Sequence, residues 1–472
     1  MTDVPFPLLS APGLKPQTAG GRVLNCYPEK LPATAGKPYG WFRVPGLGLF
    51  GTAPSGRYRG GVQKDNLFYG VFGTSVYSFS ILGGAGTLLP GSIPGIGIVF
   101  AARNNAANAD VVFVSPGDGA FWINGGGAVV AYPDPNVGQP NSVVFHRGFF
   151  IFTYGNGVTR ASGVNVTSIN TLDVATAESK PDTLYRPVPL GNGQLALCGS
   201  STIEVWGGQN DSGYPFSYIA TIPRGIVGPA AIAGAEDGFG KGLFLVGDDF
   251  RVSRLDGYAC TPISNSDLDT LIEREPIKTA IRVGVFVSRG HGFVSVQGAT
   301  WCYVFDTTLS TWHERNSWLK NYWRGLYPIQ AHGKWMCGDS DSATLCEISA
   351  NIRYELGTPI RMRIETGPFG SFPQAVRINA IELYLTKGAS DATGHDPDET
   401  DAEIAISISR NGGQDWSNPR NVKMGQQAIT NGRVRAAIWG QAEVQGVRWR
   451  FEESAGLDFA FMGADQLQDV LR

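Results

Sequence analysis

A glycine-led turn that recurs every 38 to 51 residues constrains the fold of this 472-residue chain more than any other feature. Each turn follows a short apolar run and precedes a second run rich in aromatic or β-branched residues, which is the pattern of a β-hairpin. The turns begin at Gly73, Gly117, Gly155, Gly199, Gly247, Gly298 and Gly338. Because a four-stranded propeller blade takes about 40 to 45 residues, the sequence predicts an all-β chain built on a β-propeller of six or seven blades.

The runs beside these turns have the composition of strands. Phe149–Tyr154 leads into a turn, and Thr202–Trp206 follows one. Each hairpin is expected to be the inner or outer half of a blade, with its glycine supplying a positive φ. An irregular series of β-meanders or a two-sheet sandwich is the alternative, because the repeats share shape rather than sequence. Disorder is excluded, since 42% of the residues are hydrophobic and can offset the entropy of ordering.

The pattern changes along the chain and predicts three segments. Residues 1–56 are interrupted by prolines and glycines, and we expect an extended N-terminal arm that lies on the propeller or on a neighbouring subunit. Residues 57–356 hold the repeats and form the propeller. Residues 357–472 alternate apolar and polar side chains with period two, which predicts a separate, jelly-roll-like antiparallel β-sandwich.

One segment between two repeats departs from the all-β pattern. Ser266–Glu275 has the composition of a short helix, and Ser266 with Asp269 three residues later predicts a capping box at its start. Pro276 ends it. We expect an insertion between two blades.

A hairpin motif stands out in the C-terminal segment. Ser409, Asn411, Gly413 and Trp416 resemble the aspartate-box hairpin of sialidases and other β proteins, with asparagine in the aspartate position. The resemblance predicts a structural turn in which Ser409 and Asn411 bond the backbone, Gly413 adopts a left-handed conformation and Trp416 is buried beneath. A single copy does not indicate a sialidase.

Residue patterns of common enzymes and metal sites are absent from the sequence. The six cysteines are scattered without a C-x-x-C pair, the five histidines form no H-E-x-x-H motif, and no G-x-S-x-G elbow occurs. The acidic loop Asp396–Asp401 lacks the glycine and spacing of a calcium loop, so a solvated tip is favoured over a calcium site. We therefore predict no catalytic residue, no metal and no cofactor.

Two local patterns suggest chemistry at first sight. Gly46–Gly51 reads G-x-G-x-x-G, but a dinucleotide site requires a helix next, and a turn follows instead. The adjacent acids Asp248 and Asp249 suggest a glycosidase pair; however, neighbouring residues of a strand point to opposite faces, so a turn is favoured. A carbohydrate-binding or polysaccharide-cleaving propeller is the alternative function.

The charge content is low and nearly balanced. Charged residues make up 17% of the chain and the net charge is −3, so no basic patch indicates specific nucleic-acid binding. So few charges favour a surface partly covered in an assembly. The N-terminus lacks the features of a secretory signal and no apolar run reaches about 18 residues, so we expect a reducing compartment, buried cysteines and no membrane insertion.

Short fragments in a characteristic order resemble a known family. The chain is similar to the tail hub proteins of short-tailed double-stranded DNA bacteriophages, also called packaged-DNA stabilisation or head-completion proteins. The fragments are Asn25–Glu29, Val44–Leu47, Tyr58–Gly60, Gly199–Glu204, Arg224–Ile226, Val304–Asp306, Tyr322–Gly325 and Cys337–Asp339. The C-terminal fragments Ser409–Ser417 and Val447–Phe451 are similar to sandwich modules of phage tail proteins.

The resemblance implies a structural role in the virion tail. It implies a homo-oligomeric ring, expected to be a hexamer, that assembles in the host cytoplasm and attaches below the portal and its adaptor. The ring would adjoin the tail needle or plug and the tailspikes or fibres. It would close the channel on packaged DNA and form the conduit for ejection, without sequence-specific binding. The family implies no catalytic residues, and a nearly neutral wall suits the passage of a polyanion.

Overall fold

The computed structural model describes residues 2–177, 179–208, 213–370, 374–390 and 397–470. Strands dominate this part of the chain. The N-terminal residues contribute β1 (Thr2–Asp3), β2 (Gly21–Leu24), β3 (Cys26–Lys30), β4 (Tyr39–Arg43) and β5 (Gly46–Thr52). Single-turn 3-10 helices span Pro16–Thr18, Ala33–Ala35, Pro135–Val137 and Lys278–Ala280.

Antiparallel sheets follow one another along the chain as the blades of a propeller. Blade 1 contains β6 (Tyr58–Lys64), β7 (Leu67–Phe72), β8 (Ser75–Ser80) and β10 (Thr87–Leu88), with the short β9 (Gly84–Ala85) beside β5. Blade 2 contains β11 (Phe100–Arg103), β12 (Val111–Ser115), β13 (Gly119–Ile123) and β14 (Val129–Ala131). Blade 3 contains β15 (Ser142–His146), β16 (Phe149–Thr153), β17 (Val158–Ser162) and β18 (Ile169–Thr176). Blade 4 contains β19 (Leu184–Pro189), β20 (Leu195–Gly199), β21 (Ile203–Gly207) and β22 (Ser217–Ile222).

The remaining blades complete the ring. Blade 5 contains β23 (Ile232–Ala233), β24 (Leu243–Val246), β25 (Val252–Asp256) and β26 (Ala259–Pro262). Blade 6 contains β27 (Arg282–Ser288), β28 (His291–Gln297), β29 (Cys302–Asp306) and β30 (Thr311–Glu314). Blade 7 contains β31 (Gly325–Ala331), β32 (Lys334–Asp339) and β33 (Thr344–Ser349), and β5 is its fourth strand. The described residues thus form seven blades, and the prediction of an all-β chain with a β-propeller is confirmed.

The glycine-led turns all occupy the same place in their blades. Each joins the second strand to the third, so the repeated hairpin is the middle of a blade, and the expectation of an inner or outer half is wrong. Of the seven turn glycines, Gly73 and Gly117 have a positive φ. At Gly199, Gly247, Gly298 and Gly338 a side chain would meet close neighbours: a Cβ at position 338 would lie 2.1 Å from that of Tyr58, in the neighbouring blade. At Gly155 the nearest atom would be 3.6 Å away, so close packing does not explain this glycine.

The N-terminal strand β5 closes the propeller. It pairs antiparallel with β33 from Thr52 opposite Thr344 to Gly46 opposite Ser349, and β31 lies against β6 of blade 1. The G-x-G-x-x-G sequence lies within this strand. A Cβ at Gly46 would meet the carbonyl oxygen of Ile352 at 2.3 Å, so close backbone packing explains this glycine.

The C-terminal strands form two sheets that share a hydrophobic core with the N-terminal strands. After blade 7, β34 (Tyr354–Glu355) and β35 (Thr358–Pro359) extend the sheet of that blade beside β5. The C-terminal strands of the two sheets are β36 (Met362–Thr366), β37 (Val376–Leu385), β38 (Glu403–Ser409), β39 (Arg420–Lys423), β40 (Val434–Ala442), β41 (Arg448–Glu453) and β42 (Ala460–Val470). One sheet has the order β3-β4-β42-β37-β40 with β1 beside β42, and the other contains β2-β36-β41-β38-β39.

Strand β2 joins this second sheet to the propeller. Leu24 pairs in parallel with Glu314 of blade 6, while β2 pairs antiparallel with β36 on its other side. Residues 1–56 therefore supply strands to both parts of the molecule. The division at residues 56 and 356 stays a prediction about independent folding units.

The predicted helix is present, but its cap is different. Helix α1 (Ser266–Arg274) begins after Asn265, whose side chain accepts a hydrogen bond from the Leu268 N–H at 2.9 Å. The capping box is wrong because the Asp269 side chain instead accepts a hydrogen bond from Ser264. Helix α2 (Pro397–Thr400) lies in the acidic loop, of which Asp396 is outside the described residues.

Candidate functional site

A buried arginine holds blades 1 and 2 together. The Arg59 guanidinium is 2% exposed and donates to the carbonyl oxygens of Gly73, Ile93, Pro94 and Gly97 at 2.6 to 3.1 Å and to the Ser115 hydroxyl at 2.8 Å. These acceptors are neutral, and burial lowers the pKa of the Arg59 guanidinium. The fragment Tyr58–Gly60 thus connects blade 1 to blade 2 through the hydrogen bonds of Arg59.

The fragments that carry the family resemblance contact one another in space. A Cβ at Gly225 would lie 2.2 Å from the carbonyl carbon of Ser200, so fragments Arg224–Ile226 and Gly199–Glu204 meet between blades 4 and 5. Arg324 donates to both carboxylate oxygens of Asp339 at 2.7 and 2.6 Å. These contacts order the turns between blades.

The acid pair weighed for catalysis belongs to the same system. Arg224 contacts Asp248 at 2.9 Å and Asp249 at 3.4 Å. Asp248 also accepts a hydrogen bond from the Gly225 N–H at 3.2 Å. In a glycosidase the two carboxyl groups flank the scissile bond, whereas Asp248 and Asp249 bind one guanidinium in a turn. The arrangement therefore favours a structural role for both residues.

Buried ionic contacts also join the end of blade 6 to β34 and the two C-terminal sheets to each other. Arg315, 1% exposed, donates to Glu355, 0% exposed, at 2.8 Å. Arg43 pairs with Glu453. Removal of one partner of such a pair leaves an uncompensated buried charge, so the junction is built as a fixed unit.

A side-chain cluster beneath blade 6 contains two histidines in opposite environments. His291 Nδ1 lies 2.8 Å from Asp306 Oδ2, and this hydrogen bond raises the pKa of His291. Neither ring nitrogen of His313 has a hydrogen-bond partner in the described part of the chain. Complete burial lowers the pKa of His313 to about 3.

A central cavity of about 850 Å³ lies on the propeller axis. Residues from the first strands of blades 1 to 4, 6 and 7 line it, and blade 5 contributes Ala230 and residues 235–237, on either side of its first strand. From blade 4, Arg186 reaches across it: the guanidinium lies 5.1 Å from the Phe100 ring centroid of blade 2 and donates to the Ile232 carbonyl of blade 5 at 2.9 Å. Arg186 forms no ion pair with any described residue.

The outer edges of several blades expose apolar side chains. Leu172 of blade 3 is 77% exposed, and other exposed apolar residues lie on the outermost strands of blades 1 to 4. These residues are Leu88, Val130, Val174, Tyr218 and Ile219. By contrast, β2 pairs with the outer strand of blade 6, and β34 pairs with β5, the outer strand of blade 7. Exposed patches of this kind mark contact surfaces.

The C-terminal hairpin has the bonds that its motif requires. Gly413 N donates to the Ser409 hydroxyl at 2.8 Å, and Asp415 N donates to Asn411 Oδ1 at 3.0 Å. Gly413 has a φ of 102°. The expectation that Trp416 is buried is wrong, because this side chain is half-buried and lies under the Arg450 guanidinium, 3.9 Å from the ring centroid.

A family model described as bacteriophage P22 Gp10, beta-propeller, matches residues 24–353. The chain belongs to this family. The matched residues cover the strand β5 that closes the ring and the blades themselves. The resemblance given by the sequence fragments is therefore confirmed, and this Gp10-family protein has a structural role in the phage virion, in assembly with other phage proteins.

Comparison with other proteins adds similarity at a low level. No curated protein matches the chain significantly. Solved structures with partial likeness include the WD40 β-propeller domain of Doa1 (14% identity, 64% of this chain, 96% of that chain, TM-score 0.41) and PorZ of Porphyromonas gingivalis (11%, 82%, 53%, 0.37). A third is the computationally designed Ika8 protein (12%, 73%, 100%, 0.37). These likenesses carry no inference about function.

Metal and membrane features are lacking from what the structure describes of this Gp10-family protein. No cluster of three metal-binding side chains occurs among the described residues. Within the same residues, no helix is long and apolar enough to cross a membrane. All six cysteines are free thiols, and five of them are buried, with Cys260 half-buried.

Sequence reasoning missed the side chains that hold the blades together. It named Arg59 and Arg324 as parts of fragments, but nothing in one sequence shows that Arg59 binds a set of carbonyl groups. Arg186 and Arg315 carried no motif. For three other arginines the sequence held a signal, a glycine directly after the arginine. It occurs in Arg59-Gly60, Arg224-Gly225 and Arg324-Gly325.

Proposed function

We propose that this protein is a tail hub. In this proposal, copies of the chain form a ring, expected to be hexameric, below the portal adaptor, where it closes the channel on packaged DNA and later forms the ejection conduit. Membership of the Gp10 family is the observation that carries the proposal. The needle or plug and the tailspikes or fibres are the expected neighbours.

The size of the central cavity supports a conduit between subunits and not inside one propeller. A cavity of about 850 Å³ is small beside a double helix, whose major groove alone is about 12 Å wide and 8.5 Å deep. Arg186 also crosses the axis between blades 2 and 5. A double helix therefore cannot pass, and a ring of copies is needed to surround it.

The distribution of apolar side chains supports ring formation. Blades 1 to 4 expose apolar residues on strands whose outer edge is unpaired among the described residues. An unpaired strand edge with apolar side chains tends to bind another chain. A second copy is the partner we propose for this surface, since a closed ring requires each subunit to contact two others.

The charge balance suits a conduit that holds DNA by a steric block. A net charge of −3 with 17% charged residues gives little of the phosphate binding that releases counterions and retains a polyanion. The DNA would therefore leave freely once the plug is removed.

Imaging of the purified protein with substitutions on the edge tests the ring. Negative-stain microscopy and light scattering should show closed rings for the natural chain and smaller species for Leu172→Asp. The matched control is Leu319→Asp, which changes an 85% exposed leucine in the loop before blade 7 and should leave rings intact. A natural chain that stays monomeric at high concentration and in filled particles would contradict the proposal.

A further inference from the structure

The two C-terminal sheets end in a second exposed edge of the molecule. Both sheets start beside blade 6, where β2 pairs with β30 and Tyr27 of β3 contacts Phe293, with 5.1 Å between the ring centroids. They end four strands farther out, in β39 and β40, which contact each other. At about 4.8 Å per strand, this β39–β40 edge (residues 420–423 and 434–442) lies roughly 20 Å beyond blade 6.

Ile438 projects from the β39–β40 edge in a backbone conformation that its side chain disfavours. Its φ is 63° and it is 80% exposed. The ladder shifts register here, because Ile438 and Trp439 of β40 stand opposite the single Asn379 of β37. A positive φ is an outlier for a β-branched residue, and such strain is typical of functional sites. The bulge therefore presents an apolar side chain outward, where it gains no contact within one chain.

The blade edges and the β39–β40 edge lie on different sides of the molecule. Blade 3, which carries Leu172, is three blades away from blade 6, the largest separation that a ring of seven blades allows. A closed ring built by head-to-tail contacts requires two different surfaces on each subunit, one for each neighbour. The outer edges of blades 1 to 4 supply one of these surfaces. The β39–β40 edge is placed to supply the other.

The charges of the two edges are complementary. Within the outermost strands of blades 1 to 4, as the structure describes them, Asp173 is the sole charged residue. Strands β39 and β40 instead contain Arg420, Lys423 and Arg435 and no acid. The Arg420 guanidinium lies 4.1 Å from the Trp439 ring centroid, a neutral partner. Opposite charges across an interface favour the correct partner and fix its register.

We propose that the β39–β40 edge of one copy binds the outer edges of blades 1 to 4 of the next copy, with Ile438 packed among their apolar side chains. This inference rests on the proposed ring and names the surface that completes it. Each subunit presents one edge of each kind, so the same contact repeats around the ring.

Ile438→Asp in the full chain tests this surface. The variant should fold, because aspartate tolerates a positive φ better than isoleucine does, and its thermal midpoint against that of Leu172→Asp checks this. Light scattering and negative-stain microscopy should show smaller species, as for Leu172→Asp. If Ile438→Asp does not fold, Ile438→Gly, which suits a positive φ, should also reduce the rings.

A matched control separates this surface from other exposed apolar residues. Ile277→Asp changes a 63% exposed isoleucine between blades 5 and 6 and should keep the rings. Rings of folded Ile438→Asp equal to those of the natural chain would overturn the inference and leave the proposed ring standing. A natural chain without rings in solution and on filled heads would contradict the ring itself. If rings form only on heads, nuclease protection of the packaged DNA gives the same comparison.

A mixture of two variants tests whether the two edges bind each other. Leu172→Asp keeps the β39–β40 edge and Ile438→Asp keeps the blade edges, so one intact contact remains between one chain of each kind. At high protein concentration the equimolar mixture should form species of two chains by light scattering, whereas each variant alone should stay monomeric. A mixture that stays monomeric would overturn the inference and assign Ile438 to a different tail protein.

Discussion

At the scale of single residues, buried arginines decide how the blades are held. Arg59 satisfies carbonyl groups from the turn of blade 1 and from the connection to blade 2. Arg59→Ala should lower the free energy of unfolding by about 3 kcal/mol or more, because several buried acceptors lose their donor at roughly 1 to 3 kcal/mol each. Denaturant unfolding measures this. Arg57→Ala, at an exposed neighbour, should change little; equal losses in both variants would mean that the carbonyl cluster does not need Arg59.

His313 should make stability depend on pH. Burial lowers its pKa from 6.5 to about 3, so below pH 6.5 the unfolded chain binds a proton that the folded chain does not. The full contribution of neutral His313 to the free energy of unfolding is therefore present above pH 6.5. As the pH decreases from 6.5 towards 3, this contribution is lost by up to about 1.4 kcal/mol per pH unit. Unfolding of the natural chain and of His313→Gln at pH 7 and pH 5 should show the smaller pH effect in the variant. His291 acts in the opposite sense because Asp306 raises its pKa.

At the scale of elements, the C-terminal hairpin is less dependent on its tryptophan than the sequence suggested. Trp416 is half-buried under Arg450, and an exposed cation–π contact contributes about 0.5 to 1 kcal/mol. Trp416→Ala should therefore cost about 1 to 2 kcal/mol. Trp449→Ala, at a fully buried position, should cost about 3 to 5 kcal/mol. Denaturant unfolding of the two variants gives the order, and a larger loss for Trp416 would contradict the structure.

The closing strand β5 depends on its glycines. A Cβ at Gly48 would lie 2.4 Å from Cδ1 of Ile352, and one at Gly51 would lie 2.6 Å from the ring of Phe79. Gly51→Val should open the seam and lower the thermal midpoint strongly, whereas Gly125→Ala, with no atom within 4 Å, should be neutral. Limited proteolysis near residues 46–52 reports the opening. Protection equal to that of the natural chain would show that β5 tolerates a side chain.

The sequence predicted which segments form hairpins better than it predicted which distant strands pair with each other. Regular spacing of glycine turns indicates blades because each blade repeats the same local hairpin. The pairing of β5 with β33 joins residues almost 300 positions apart, and no local pattern records such a contact. The prediction that Trp416 is buried was wrong for the same reason, since the residue that covers its ring, Arg450, lies on another strand.

At the scale of the whole molecule, the propeller axis is separate from the DNA conduit that we propose. The central cavity, lined in part by Arg186, lies on the axis, while the exposed apolar side chains lie on the outer edges of the blades. The surface proposed for ring formation was therefore harder to predict than the fold. Which strands face a second copy depends on how the copies are arranged in the ring, and local sequence does not record that arrangement.

Retention of DNA by filled heads is the most direct test of the proposed hub. Heads assembled without this protein should package DNA and then release it to added nuclease, and the purified natural chain should restore protection. Leu319→Asp should restore it as well, and Leu172→Asp should not. Heads that stay filled and infectious without the protein would contradict the account, as would hydrolysis of host polysaccharide by the purified chain that is lost in Asp248→Asn.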